Sequence, residues 1–375
     1  MAKVTFYPLG NADCCLIATD KEKLFAFDFA DMKDPNNDDD KRMPLAKNFK
    51  DDIGWPNRKD VDVLAITHGD RDHVLGISET FWLEHAQKYQ SGERIKIGTL
   101  WVPAALIVDP DAEDDTKIIR AEAQHRFLNK KAIRVFGPAE HLKDWLAARG
   151  KRIEDYQSVI SNAGTMVPNV TPDLDGIEFF VHSPFAERTA DGLLERNLNC
   201  LVLQATIQSG GQNTRFMVTA DSVSENWNKI VNITKGHQNE HRLAWDIFKI
   251  PHHCSYKSMA KQDDDGNYIK GDHKTEPTDE FKWLLEQGTE RSVIVSTSWP
   301  IPTTTETQPP HVETHRRYKD TRDDLDADLV VTMEHPGTLR PKRLIIEVDG
   351  NGPTLKKEFG GGSVTVTSTQ SPRMG

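Results

Sequence analysis

A chain of 375 residues, 37% hydrophobic and 28% charged, can bury a sizeable core as one large α/β domain or as two smaller ones. It has no run of about 18 apolar residues to span a membrane, and its opening, MAKVTFYPLGNADCCLIATD, reads as strands rather than a signal segment, so a cytoplasmic location is expected. With 47 basic against 58 acidic residues the net charge is −11, which repels a polyanion unless basic residues cluster locally and so weighs against generic DNA binding.

In chain order, KVTFYPL, CCLIATD and LFAFDFA alternate apolar positions between turn residues and predict a β-rich start. Residues 31–60, with DMKDPNNDDDKR, are too polar to form a core element and predict a mobile surface loop. The strand VDVLAI then runs into THGDRDH, and VLGISETFWLEHAQKYQ follows with apolar residues at helical spacing. The polar cluster therefore falls between a strand end and a helix start, where open α/β folds place their chemistry. IGTLWVP and AIRVFG predict strands, with helices around 111–131 and 139–148. GIEFFVHSP, NCLVLQATIQ, TRFMVTADS and DIFKIPHHC are strands ending in polar residues. A second polar insertion, KQDDDGNYIKGDHKTEPTD, precedes the helix DEFKWLLEQG, the strand RSVIVSTS, a short helix in PHVETHRRYKD and the closing strands ADLVVTM and RLIIEVDG. The pattern predicts sheets packed on each other with helices outside. Cys14, Cys15, Cys200 and Cys254 form no CxxC pair and read as ordinary free thiols.

In HGDRDH, His68, Asp70, Asp72 and His73 put imidazole and carboxylate groups on one tight loop that can aim several donors at one or two cations. A solvated turn with Asp72 capping the next helix is the competing reading of that loop, and metal binding is favoured over it even for the loop alone. Asp221 after MVTA, and His252 and His253 in KIPHHCS, also follow strands. Singly, each reads as a turn former or a hydrogen-bonded histidine, but together they complete a ligand set for a two-cation site. The chain has no GxxxxGK, no GxSxG elbow and no GxGxxG after a strand.

These motifs, in this order, resemble the metallo-β-lactamase fold superfamily, and within it the hydrolase domain of DNA-uptake competence proteins. VTFYPLGNADCCLI is similar to that branch's opening strand, glycine turn and Asp (here Asp13), and LFAFDFA to its second strand, ending in Asp28. THGDRDHVLGI resembles its HxDxDH variant, with Asp70 where the zinc hydrolases have histidine. VHSP, carrying His182, and NLNCLVL, carrying Asn199, resemble its next two segments. VTADS and KIPHHCS, the latter ending in Ser255, resemble its Thr-Gly-Asp and HHGS, and the stretch through His311 resembles its late His-Pro-His helix.

The resemblance implies an αββα four-layer sandwich of two mixed sheets flanked by helices, covering residues 1–350 as one domain with insertions near 31–60 and 259–277, and a flexible tail over 351–375. It implies one or two divalent ions, Zn or Mn with Mg allowed. His68 and Asp70 would face the first, Asp72, His73 and one of His252 and His253 the second, with Asp221 bridging. His253 is favoured as the ligand, leaving His252 with Asp72 as catalytic candidates. Asp13, Asp28, His182, Asn199, Ser255 and His311 would support the site or bind substrate. Departures from the branch are Asn199 near the place of a further histidine, Ala220 and Cys254 in place of glycines, and Pro309 in place of the first His of His-Pro-His. The implied activity is a metal-dependent phosphodiesterase or nuclease acting on nucleic acid or a nucleotide-like phosphodiester, with no membrane partner. The acidic insertions are open to a protein partner. The alternatives are a hydrolase of a lactone, thioester or cyclic nucleotide, which suits the acidic surface, and a catalytically weak regulatory or binding subunit that keeps the fold.

Overall fold

A computed structural model describes residues 1–137, 139–185 and 197–356. Among them the strands run β1 Ala2–Phe6, β2 Cys15–Ala18, β3 Leu24–Phe27, β4 Asp60–Ala65, β5 Lys96–Pro103, β6 Ile133–Phe136, β7 Ile160–Ser161, β8 Ile177–Ser183, β9 Val202–Ser209, β10 Gln212–Val218, β11 Trp245–Lys249, β12 Gly288–Ser296, β13 Asp328–Val331, β14 Leu344–Asp349 and β15 Gly352–Leu355. They form two mixed sheets, in the orders β15-β14-β1-β2-β3-β4-β5-β6-β7 and β13-β12-β11-β10-β9-β8.

Strand alternation decides the layers, because successive side chains leave a sheet on opposite faces. In β3, Phe25 and Phe27 enter the core between the sheets, opposite Phe179, Phe216 and Ile247, while Leu24 and Ala26 face outward. The outward faces are not solvated. On the first sheet they meet Phe49 of the helix Leu45–Ile53 and Ile119 and Phe127 of the helix Asp114–Asn129. On the second, Met217, Phe248 and Ile294 meet Trp227, Phe281 and Tyr318 of the helices Ser224–Gly236, Asp279–Leu285 and Val312–Leu325. The result is the αββα four-layer sandwich expected from the sequence. Pairing is parallel from β3 through β7 and from β10 through β13. The C-terminal ends of β3 and β4 in one sheet, and of β10, β11 and β12 in the other, lead into the residues of the site described below.

Several sequence expectations are corrected. VLGISETFWLEHAQKYQ is not one helix: Arg71–Val74, Ile77–Thr80 and the 3-10 turn Gln87–Tyr89 are separate pieces. Gly76 breaks the run with φ +87, and its N–H goes to Asp115 Oδ2 at 2.6 Å instead of to a helical carbonyl. Val74, Ile77, Phe81 and Leu83 still face one core, which is what mimicked a helical period. Residues 31–60 are not all loop, since the helix Leu45–Ile53 buries Leu45, Phe49 and Ile53 at i, i+4 and i+8. Asp31 caps that helix from a distance, accepting from Leu45 N at 3.0 Å and Ala46 N at 2.9 Å. The chain is ordered past residue 350, because β15 pairs with β14; the rest of the expected tail, 357–375, lies outside the described residues. No helix among the described residues is long and apolar enough to cross a membrane.

Candidate metal centre

Four carboxylate and imidazole side chains converge at this edge of the sandwich. Asp13, His73, Asp221 and His253 each bring one ligand atom to within 4.8 Å of the others, and all four are buried. They come from the β1–β2 turn, the short helix Arg71–Val74 after β4, the segment just after β10 and the 3-10 turn after β11, so only the folded sandwich assembles them.

Each histidine is aimed by its outer nitrogen. His73 Nδ1 lies 2.8 Å from Asp28 Oδ2, and Asp28 also accepts from Thr67 N and Thr67 Oγ1, each at 2.7 Å. Asp28 reaches across in the left-handed conformation, φ +56, with its own N–H on Ala65 O at 2.8 Å. His73 Nε2 is thereby turned inward, 3.4 Å from Asp221 Oδ1. His253 repeats the device. Its Nδ1 donates to Thr297 O at 2.7 Å, and its Nε2 stands 3.1 Å from Asp72 Oδ2 and 3.5 Å from Asp221 Oδ2. An imidazole whose outer N–H is held by a carbonyl or carboxylate presents the other nitrogen in the form a metal binds.

Asp13 Oδ2 makes an ion contact of 2.6 Å with Lys249 Nζ, without hydrogen-bond alignment, while its Oδ1 has no hydrogen-bond partner. His68 stacks on His73 with ring centroids 3.9 Å apart, and its Nε2 stands 3.4 Å from Asp70 Oδ2. Asp70 and Asp72 keep side-chain exposures of 34% and 31% and form the mouth of the centre. His252 points its Nε2 at Asp221 Oδ2 from 3.9 Å, half-buried, with Nδ1 unpartnered. The residues 252–254 and Ala220 all take positive φ: His252 +51, His253 +51, Cys254 +66 and Ala220 +51. Non-glycine side chains there store strain, and left-handed backbone is the physical reason glycine suits two of these positions.

The electrostatics describe a site short of positive charge. Burial alone would push His73 down, yet Asp28 and Asp221 raise its pKa well above the ordinary value. His253 is raised to about 9, since Asp221 and the hydrogen bond it donates to Asp72 outweigh its burial. Burial alone would raise Asp221, but His253, His73 and His252 drive it well below the usual carboxylate range. Protons on the histidines thus occupy the role a cation would take. The unpartnered buried atoms His68 Nε2, His73 Nε2, Asp13 Oδ1 and Asp221 Oδ1 fit a divalent ion on chemical grounds, since buried polar atoms are otherwise satisfied.

Other residues singled out in the sequence lie outside the four-residue cluster. His182 Nε2 meets Arg242 O at 2.9 Å beside a cavity of about 310 Å³ lined by Phe180, Phe185 and Ile233 and by none of the clustered residues, and burial lowers its pKa to about 4. Asn199 shares a small crevice with His68 and Asp109. Ser255 starts the turn Tyr256–Ser258 by accepting from Lys257 N at 3.3 Å. His311 braces the histidine loop, its N–H on Cys254 O at 3.1 Å and its ring 4.7 Å from Tyr256. All four cysteines are free and buried. Lys249 was missed, although a lysine inside the apolar run DIFKIP is a signal in itself, because buried lysines need a partner.

No protein-family model and no curated protein matches the chain. Among solved structures it is similar to a "Putative metal-dependent hydrolase" from Parabacteroides distasonis, at 11% identity and a TM-score of 0.35, over 88% of this chain and 92% of that one. It is also similar to a diphosphatase from the PhnP family, at 12% identity and a TM-score of 0.33, over 92% of this chain and 96% of that one. Likeness this distant assigns no activity to the chain.

Proposed function

We propose that the chain is a metal-dependent hydrolase that cleaves phosphodiesters. The observation that supports this most is the convergence of Asp13, His73, Asp221 and His253 with unpartnered ligand atoms in a buried site. In this reading His73, Asp221 and His253 would hold a divalent ion in the floor, and His68, Asp70 and Asp72 would hold a second nearer the mouth, with Asp13 between the floor and Lys249. Carboxylate and imidazole donors of this kind suit Zn or Mn and allow Mg. A bound ion there supplies Lewis acidity and lowers the pKa of water, the chemistry of phosphodiester hydrolysis.

The chain's own residues do the rest. Asp72, beside His253 and partly open to solvent, orients the attacking water and takes its proton. Burial lowers the pKa of His252, which favours the neutral imidazole that can accept a hydrogen bond at the rim. Thr67 and Asp28 keep His73 from rotating, and Thr297 does the same for His253.

The competing substrate class is a small ester or lactone, favoured by the net charge of −11. The test is a panel of bis(p-nitrophenyl) phosphate, oligonucleotides, cyclic nucleotides and lactones on Zn- and Mn-loaded protein. Phosphodiester turnover that falls at least a hundred-fold in Asp72→Asn and Asp221→Asn is the expected result. Lactone turnover alone would move the substrate class. Equal rates in the wild type and both variants would reject hydrolysis at this site.

A further inference from the structure

Trp299 is exposed at 37%, the only aromatic among the large apolar side chains left exposed in the described residues. It is not loosely attached. A Cβ on Gly10 would come within 2.7 Å of Trp299 Cε2, so the indole lies directly against that turn, where φ is +76. Trp299 N donates to Asn11 Oδ1 at 3.1 Å, and Asn11 Nδ2 donates to Pro309 O at 2.7 Å.

Both chain segments that fix this indole come from the metal centre. Thr297, whose carbonyl holds His253 Nδ1, is two residues before Trp299; Asn11 is two residues before Asp13. Two residues of chain reach at most about 7 Å, so the backbone that carries the indole lies close to residues that build the site.

The first polar insertion adds a cation. Its start is pinned to the ligand loop by Asp31 N on Leu75 O at 2.9 Å, and Met43 is pinned to the β1–β2 turn by its N–H on Pro8 O at 3.0 Å. Between them Asp40 accepts from Asp34 N at 2.8 Å and from the Arg42 guanidinium at 2.8 to 3.0 Å, so this acidic loop is knitted rather than loose. Arg42 Cζ is set 5.5 Å from the Trp299 ring centroid.

We propose that Trp299 and Arg42 form a subsite for a planar aromatic ring at the rim of the metal centre, selecting esters that carry a base or aryl group; this rests on the phosphodiester reading of that centre. A fixed, exposed indole offers stacking area that tolerates any base, and the Arg42 guanidinium, its charge paired with Asp40, lies over the same ring. The structured acidic insertion, which would repel a polyanion, serves to place one arginine against one tryptophan.

The test compares AMP with ribose 5-phosphate on full-length Mn-loaded protein by calorimetry, so that the base is the only difference. AMP is expected to bind about ten-fold or more tightly than ribose 5-phosphate, the scale of one base–aromatic stack. Trp299→Leu should bring AMP down to the affinity of ribose 5-phosphate, Trp299→Phe should retain part of the preference, and Arg42→Gln should reduce it. Equal wild-type affinities, no AMP binding, or a preference unchanged in Trp299→Leu would overturn the subsite, and the first two need no variant to fold. A Trp299-dependent AMP preference with no phosphodiester cleavage would keep the subsite and reject the hydrolase reading. Cleavage of diaryl and dialkyl phosphodiesters alike, with no AMP preference, would do the reverse.

Discussion

The floor and the mouth of the metal centre are built from the same residue types and behave as different materials. In the floor, the side chains of Asp13, His73, Asp221 and His253 are 0–4% exposed, and the two histidines are clamped through Nδ1. At the mouth, Asp70, Asp72 and His252 keep 34%, 31% and 20% exposure. Desolvated, fixed ligands prepay the ordering a cation requires, whereas exposed ones keep the freedom to admit a substrate. On the proposed function, the floor would account for metal affinity and the mouth for turnover.

The largest test of that division is a pair of substitutions. Asp221→Asn should weaken binding of the tighter ion at least a hundred-fold, while Asp70→Asn should leave that ion in place and weaken only a second, looser one. Competition against a chromophoric chelator measures both, and equal losses in the two variants would erase the distinction between floor and mouth. Next in size is Asp28→Ala, which removes no floor ligand but releases His73 Nδ1. Loss of such a supporting carboxylate costs about ten- to a hundred-fold in metal affinity, and an unchanged affinity would mean that His73 is held by packing alone.

The smallest effect separates protons from metal. The folded pKa of His253 is about 9 and that of His73 is also raised, both above the ordinary value of about 6.5. Their contribution to the stability of the metal-free protein is complete below about pH 6.5 and is lost as pH rises through about 9. Asp221 and Asp72 are lowered, so their contribution is present above about pH 4 and is lost as pH falls. With chelator present, the melting temperature should therefore fall between pH 6.5 and pH 9. Metal affinity should rise over the same range, because ligation needs neutral imidazole. A flat melting temperature would show that the floor histidines are not protonated when metal is absent.

Much of the fold was legible because strand alternation carries information about both faces of a sheet: FAF in β3 states which side meets the second sheet. The strand-end chemistry was legible for the same reason, since polar residues following apolar strands mark the sheet edge. What escaped was set by contacts far apart in sequence. The helix Leu45–Ile53 hides in a polar insertion, and its cap, Asp31, lies 14 residues upstream of Leu45. Asp13 was legible only as a supporting or substrate-binding residue implied by the resemblance, because nothing local shows that it would share a buried site with Lys249 and His253. Gly76 was visible but reads as tolerable within a helix, and only its N–H bond to Asp115 reveals the break.

Metal content after purification and dialysis, by mass spectrometry of the wild type, His73→Ala and Asp221→Asn, tests the central claim most directly. At least one divalent ion per wild-type chain, lost in both variants while all three remain folded, is the predicted result. A wild-type chain that takes up no Zn, Mn or Mg at pH 8 from an excess of each would contradict it.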